Sequence, residues 1–265
     1  MRTICFSFPE GRKKALTMSY DDGQYYDREL VDIFNQYRIK GTFHLNSGNF
    51  EYRQFVNASE IKELYKGHEV SVHSVTHPFL TQISNEEIVR EIIKDRRNLE
   101  ALVGYPVRGM SYPFGDYNEA LVNMLPALGI EYSRTVVSTH SFGLPSNFLT
   151  WHPTCHHDEN LMEKYKRFKQ TPPWEQLYLF YVWGHSYEFE RNKNWDLIKE
   201  FCKTASFDES VWYATNIEIV DYIKALRNLK FSVDRKIVHN VSGIDVWISV
   251  DREPVKIKAG EMLYL

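Results

Sequence analysis

The sequence has few cysteines, and their spacing does not suggest a disulfide or a shared metal site. Only three occur among 265 residues, Cys5, Cys155 and Cys202, and none belongs to a Cys-x-x-Cys pair. An odd number without close spacing argues against a disulfide framework and against a thiolate metal site. We expect these residues to be small buried hydrophobes in a protein of a reducing compartment.

Long apolar runs and an excess of one charge are also lacking. The longest apolar runs, such as residues 177–183, are far shorter than the roughly 20 residues that a membrane span needs. The 32 Lys and Arg residues nearly balance the 35 Asp and Glu residues. Neither nucleic acid nor an anionic membrane is therefore an expected partner. The first residues lack the apolar stretch of a secretory signal, so a cytoplasmic location is expected if the numbering begins at the native start.

Short apolar segments alternate with amphipathic stretches from residue 14 to about residue 228. This order is typical of βα units around a parallel sheet, so the predicted class is α/β. About eight units in roughly 215 residues favour a closed barrel over an open sheet. The predicted strands are 15–20, 42–45, 69–73, 107–111, 131–135, 149–152, 177–183 and 211–214.

Two helix starts carry the pattern of a capping box. Ser84 is followed by Glu87 and Thr215 by Glu218, and Gly104 is placed to end the first of these helices. We expect the charged residues of that first helix to face water. They are Arg90, Glu91, Lys94, Asp95 and Arg96.

The last 35 residues change character. Residues 245–250 and 255–258 alternate with period two on either side of a turn. We therefore predict two parts: a (β/α) barrel over residues 1–230, and a small β-rich appendage over residues 231–265 that packs on the barrel.

Polar residues worth noticing follow four predicted strands, where parallel barrels assemble their sites. The first group is Asp21-Asp22-Gly23. Neighbouring side chains of a strand point to opposite faces, so both carboxylates can enter one site only if the backbone leaves strand geometry. Gly23 makes such a bend possible.

The second group is His73-x-x-x-His77. Two imidazoles four residues apart can face the same way on one helical turn and reach a single divalent ion. Two histidines and one carboxylate suit Zn²⁺, and also Co²⁺, Ni²⁺ or Fe²⁺.

The third group runs from Arg108 to Gly115, with an arginine in an apolar strand followed by Tyr112-Pro113. A buried guanidinium needs a carboxylate partner, and the two aspartates at residues 21 and 22 are the expected one. Tyr112 has a backbone N–H to offer in the turn, whereas Pro113 has none.

The fourth group is Gly184-His185, at the end of the most hydrophobic predicted strand. A histidine at that position can serve as an acid or base near neutral pH.

In order and content, these four groups resemble the polysaccharide deacetylases, the NodB-homology group known as carbohydrate esterase family 4. The resemblance covers about residues 14–228 and implies a distorted (β/α)7 or 8 barrel with a divalent ion, most often Zn²⁺. It implies that Asp22, His73 and His77 hold the ion and that Asp21 is the general base. Arg108 would be the charge partner of Asp21.

The same resemblance implies two further roles. His185 would be the general acid, and the backbone N–H of Tyr112 would bind the oxyanion. The chain departs from the family pattern in residues 149–157, where no aspartate is present to orient the catalytic histidine. Glu188 and His152 are the two candidates to replace it.

The function implied is a metal-dependent hydrolase that removes acetyl groups from N-acetylated sugars or oligosaccharides. An O-acetyl esterase on acetylated glycans is the nearest alternative, because the same groups cleave esters. A hydrolase of non-sugar amides and a non-catalytic carbohydrate-binding barrel are further alternatives. The sequence does not fix the oligomeric state.

Overall fold

A parallel sheet of eight strands organises the protein. The structure, a computed structural model, describes residues 3–172 and 176–265. The parallel strands are β2 (Lys14–Asp22), β3 (Gly41–Leu45), β4 (Glu69–Val72), β5 (Gly109–Ser111), β6 (Tyr132–Arg134), β7 (Cys155–His156), β8 (Tyr178–His185) and β9 (Val211–Tyr213). Their order is β6-β5-β4-β3-β2-β8-β7, and β9 pairs with the start of β2.

Helices follow most of these strands, as the predicted βα pattern expects. They are α1 (Asp27–Gln36), α2 (Ile61–Leu64), α3 (Asn85–Val103), α4 (Glu119–Met124), α5 (Leu161–Lys169), α6 (Ser186–Arg191), α7 (Trp195–Ala205) and α8 (Asn216–Arg227). The capping boxes predicted at Ser84 and Thr215 cap α3 and α8, although at Ser84 only its side-chain bond to Glu87 N is seen. Gly104 ends α3 in the left-handed conformation.

The two ends of the sheet are connected by residues 151–156. Trp151 forms a parallel bridge with Arg134 of β6, and β7 pairs with β8 through Cys155 and His156. The sheet is therefore curled into a distorted (β/α) barrel, which confirms the predicted class.

The predicted strand 149–152 is wrong. Residues 148–150 form a short 3-10 turn, in which the Asn147 side chain accepts a hydrogen bond from Leu149 N. The apolar run is explained by packing, since Trp151 is almost fully buried against Tyr132 and Tyr181.

Alternation along β2 separates a helix-facing side from the barrel interior. Tyr20 packs against Phe34 of α1 in the core. Ser19 lies on the opposite face and contacts His44 of β3 at 2.9 Å. Asp21 continues the interior face and so arrives at the carboxyl end of the strand pointing inward.

Two carboxylates of α3 that were expected to face water are buried. Asp95 is fully buried, and Glu91 is 7% exposed. Both accept backbone N–H groups of loops at the carboxyl ends of the strands, which is the physical reason that they turn inward.

The remaining strands form two small antiparallel sheets. They are β1 (Ile4–Ser7), β10 (Lys230–Phe231), β11 (Ile237–His239), β12 (Val246–Val250), β13 (Glu253–Ile257) and β14 (Met262–Tyr264). One sheet has the order β1-β12-β13, so it includes a strand from the other end of the chain; the second has the order β10-β11-β14. Tyr222 of α8 ties the first sheet to the barrel, because its hydroxyl donates to Ser7 O and accepts from Trp247 N.

In the part of the chain that the structure describes, every helix is either too short or too polar to span a bilayer.

Candidate active site

Asp21 and Asp22 both reach one site because the backbone turns at the end of β2. Asp22 has a φ of 78° and Gly23 a φ of 66°. Aspartate tolerates this left-handed conformation better than most residues, and glycine adopts it without strain. The bend that the sequence required is present, but it begins at Asp22 itself.

His73 and His77 lie on a loop and not on the helical turn that their spacing suggested. Ser74 and His77 have φ values of 65° and 57°. Pro78 disfavours the helical conformation for the residue before it, which is one reason that no helix forms. The loop nevertheless brings the two Nε2 atoms within 3.1 Å of each other.

Buried side chains hold this loop in place. Asp95 accepts the N–H of His73 at 3.1 Å and that of Ser47 at 2.8 Å. Glu91 accepts the N–H of Thr76 at 2.8 Å, and the Asn46 amide donates to the His73 carbonyl at 2.5 Å. The conformation that carries both imidazoles is therefore fixed by the surrounding strands and by α3.

Three donor atoms converge as a divalent ion requires. Asp22 Oδ1 lies 3.6 Å from His73 Nε2 and 3.7 Å from His77 Nε2. Ligands at about 2.0 to 2.1 Å around a tetrahedral ion are about 3.3 Å apart, so the separations fit. These residues form one of the groups able to hold a metal ion among the described residues.

His73 is prepared as a ligand by its other ring nitrogen. Nδ1 lies 2.9 Å from the Ser111 carbonyl oxygen, which makes Nδ1 the protonated donor and leaves the lone pair on Nε2. Burial lowers the pKa of His73 to about 4, despite the opposing charges of Asp21 and Asp22. The ring is therefore neutral near pH 7.

Asp21 is paired with Arg134, a residue that the sequence analysis did not single out. A terminal nitrogen of Arg134 donates to Asp21 Oδ2, and Ser111 Oγ donates to Oδ1 at 3.1 Å. Burial alone would raise the pKa of Asp21, but Arg134 and the nearby histidines outweigh burial and hold the pKa well below its ordinary value. Arg134 could have been found from its place at the carboxyl end of the predicted strand 131–135.

Arg108 does not contact Asp21, which corrects the expected pairing. Its guanidinium donates to Asp221 of α8 at 2.7 and 2.8 Å and to Glu131 at 2.9 Å. Arg108 precedes β5, at the amino end of the strand, and its side chain is 30% exposed. It is thus at the opposite end of the strand from the site.

The backbone N–H of Tyr112 is already used within the fold. It donates to the Arg134 carbonyl at 3.0 Å, which extends the pairing of β5 with β6. This corrects the expectation that it is free for an oxyanion. Phe114 is the next residue with an N–H, and it lines the same cavity with a φ of 58°.

His185 ends β8 and contacts Glu188, the first of its two candidate partners. His185 Nδ1 lies 3.3 Å from Glu188 Oε2. His152 lies against Thr135 instead, with 2.6 Å between Nδ1 and the hydroxyl oxygen. Burial would lower the pKa of His185, but Glu188, Asp21 and Asp22 outweigh burial and raise it.

These groups share one cavity of about 550 Å³. It is lined by Asp21, Asp22, His73, His77, Tyr112, Phe114, Val136, Trp183, His185 and Tyr187. Beside it, the exposed rings of Phe79 and Phe114 stack with centroids 4.0 Å apart, and Phe114 lies 4.3 Å from the ring of His77.

The fold and the site together define a class of protein. It is a (β/α) barrel with a candidate metal centre, formed by two histidines and two aspartates at the carboxyl ends of its strands. Residues 9–133 match the family model described as Polysaccharide deacetylase. The match covers just under half of the chain, which over this segment is similar to the polysaccharide deacetylases.

Curated relatives match over less than half of this chain. A peptidoglycan-N-acetylglucosamine deacetylase of Bacillus cereus is 31% identical over 127 residues, covering 46% of this chain and 45% of the relative. Chitin deacetylase 1 of Cryptococcus neoformans is 28% identical over 119 residues, covering 44% of this chain and 25% of the relative. The matched segment thus spans less than half the length of these relatives.

Solved structures match more of the fold at lower identity. The peptidoglycan deacetylase PdaC of Bacillus subtilis has a TM-score of 0.53 at 18% identity, covering 81% of this chain and 93% of the other. A CE4 family pseudoenzyme of Bacillus anthracis has a TM-score of 0.51 at 18% identity, covering 82% and 68%. At this identity, the likeness shows the fold.

Proposed function

We propose that this protein is a metal-dependent deacetylase that removes acetyl groups from N-acetylated sugars or oligosaccharides. The observation that carries the proposal is the convergence of Asp22, His73 and His77 beside the ionised carboxylate of Asp21. Such a set combines a site for a Lewis acid with a base that can deprotonate water. A protein that only binds carbohydrate requires neither.

Asp22, His73 and His77 would hold a divalent ion, with Zn²⁺ the first candidate and Co²⁺, Ni²⁺ or Fe²⁺ compatible with the same ligands. When bound, the ion would supply a Lewis acid that polarises the acetyl carbonyl and acidifies a water molecule. The donor chemistry fits, because a carboxylate oxygen and two imidazole nitrogens are ordinary ligands of such an ion.

Asp21 is the proposed base. Arg134 and Ser111 each bind one of its carboxylate oxygens, so the group is kept ionised and held in one orientation. It accepts the proton of the attacking water, and the arginine offsets the negative charge before that transfer.

His185 is the proposed acid, because an amide nitrogen leaves only after it gains a proton. Its raised pKa keeps more of the ring protonated near neutral pH. The N–H of Phe114 replaces that of Tyr112 as the proposed donor to the oxyanion, since Tyr112 is engaged by Arg134.

The exposed stack of Phe79 and Phe114 supports a carbohydrate substrate. A flat apolar face beside the metal ligands suits the C–H face of a sugar ring, while the acetyl group enters the cavity. The ring of Phe114 in this stack contacts the proposed metal ligand His77 directly.

The test is acetate release from paired substrates. The purified protein, stripped with a chelator and then reloaded with Zn²⁺, is assayed on N-acetylated chito-oligosaccharides and on O-acetylated xylo-oligosaccharides. We expect release from the N-acetylated substrate only after reloading. Release from the O-acetylated substrate alone would assign an esterase. Binding of either oligosaccharide without acetate release would assign a non-catalytic barrel.

A further inference from the structure

We propose that Glu188 is the positioning residue of His185 and, with His156, replaces the aspartate that the chain lacks. The inference rests on the proposed function, since it concerns the acid of the same site. Residues 149–157 contain no aspartate that could orient His185. The proposal gives this task to Glu188, three residues after the histidine.

The geometry around Glu188 is unusually convergent. Its Oε2 atom accepts hydrogen bonds from His185 N and His156 Nε2, each at 3.0 Å. The same oxygen lies 3.3 Å from His185 Nδ1 and 3.5 Å from His157 Nε2. One carboxylate oxygen is therefore faced by three imidazole rings.

The local fold explains how Glu188 arrives there. His185 ends β8, and α6 begins at the next residue, so Glu188 occupies the third position of the helix. A glutamate at that position folds back to the N–H preceding the helix, as in a capping box. This backward turn is what brings the carboxylate to the imidazole of His185.

Helix capping alone does not account for the cluster. At α8 the carboxylate of Glu218 accepts Thr215 N at 2.8 Å in the same arrangement, and its other ion-pair partner is the surface residue Lys40. Glu188, in contrast, is 8% exposed and bound by His156, which comes from a different strand. An ionised carboxylate in such a place orients a ring and favours its protonated form.

Among the described charged groups around His185 and Glu188, the carboxylate of Glu188 is the nearest to His185 Nδ1. Asp21 and Asp22 of β2 act on His185 from the cavity side, and Arg191 of α6 lies 3.4 Å from Glu188 Oε1. His157 is fully buried and stacks against Phe189, and burial lowers its pKa to about 3, so it stays neutral.

His156 completes the arrangement by binding the same oxygen of Glu188 that faces His185 Nδ1. Its Nδ1 accepts the N–H of Asp158 at 3.2 Å, so Nε2 carries the proton that it donates to Glu188. The glutamate is thus fixed by a ring that does not itself line the active-site cavity.

The experiment compares Glu188→Gln with Glu218→Gln. Glutamine also serves in a capping box, so both variants keep their helix caps, and only the first loses a charge beside an imidazole. The pKa of His185 is measured by NMR on zinc-loaded protein, which needs no activity. The pH profile of kcat/KM and the zinc content are measured on the same samples.

We expect Glu188→Gln to lower the pKa of His185 by about one unit or more, and to move the alkaline limb of kcat/KM to lower pH by the same amount. Glu218→Gln should leave both values unchanged. His156→Gln, which retains a donor to Glu188, should produce a smaller shift in the same direction.

An unchanged pKa of His185 in Glu188→Gln would overturn the proposal. So would two zinc ions per wild-type chain and one per Glu188→Gln chain, because the cluster would then be a metal site. A wild-type protein that releases no acetate but shows the NMR shift would contradict the proposed function and leave the positioning of His185 supported.

Discussion

Arg134 and Asp21, 113 residues apart in the chain, form an ion pair whose side chains are 0% and 4% exposed. Arg134 also lies over the ring of Trp183, with its guanidinium carbon 4.4 Å from the ring centroid. The pair therefore joins β2, β6 and β8 at the end of the barrel that carries the proposed chemistry.

Arg134→Met should lower both stability and activity. Removing one partner of a buried pair leaves the other charge uncompensated, at a cost of about 3 to 5 kcal/mol. The proposed base would lose its charge partner, so we expect kcat/KM to fall about 100-fold. Thermal unfolding and acetate release measure the two effects.

Arg108→Met is the matched control. Its contacts with Glu131 and Asp221 are partly exposed, so we expect a cost of about 1 kcal/mol or less. kcat/KM should stay within about threefold of the wild type. A larger loss of activity in Arg108→Met than in Arg134→Met would restore the pairing expected from the sequence.

The same ion pair predicts how stability depends on pH. The pKa of Asp21 is lower in the folded than in the unfolded protein, so its contribution is complete above the ordinary value of about 3.9 and is lost as the pH falls toward the folded value. We expect the difference in Tm between wild type and Asp21→Asn to shrink from pH 5 to pH 3. A difference that is constant or grows over this range would contradict the assignment.

The metal ligands were predictable because they lie at the carboxyl ends of strands in one parallel sheet. Asp22 ends β2, and His73 directly follows β4, on the other side of β3. In a parallel barrel all such ends meet at one rim. The sequence could not show which arginine reaches Asp21, since Arg108 and Arg134 both lie in predicted strands. The position along the strand decides, because Arg108 is at the amino end and Arg134 at the carboxyl end.

Other errors have a different origin. Whether the N–H of Tyr112 is free depends on the register between β5 and β6, which no local pattern encodes. Glu91 and Asp95 follow the spacing of a solvated helix face, yet their carboxylates are needed by backbone N–H groups of loops distant in sequence. The local periodicity of a helix does not show which distant backbone N–H groups its carboxylates will bind.

Asp95→Asn should weaken metal binding without removing a ligand. The carboxylate accepts two backbone N–H groups, and an amide would set its own NH₂ against one of them. The loop that carries His73 would loosen, so we expect the zinc affinity to fall about 10- to 100-fold. Competition with a chromophoric chelator measures the zinc affinity.

Glu87→Gln, on the exposed face of the same helix, is the control and should bind zinc as the wild type does. An equal loss of affinity in both variants would argue against this role of Asp95.

The most direct test of the account is the zinc content and acetate release of Asp22→Asn beside those of Asp21→Asn. The two residues are adjacent, but only Asp22 is assigned to the ion, whereas Asp21 is assigned to the water. We predict that Asp22→Asn loses zinc and activity together, and that Asp21→Asn retains one zinc ion per chain while acetate release falls about 100-fold or more. Equal loss of zinc in both variants, or full activity in protein stripped of metal, would contradict it.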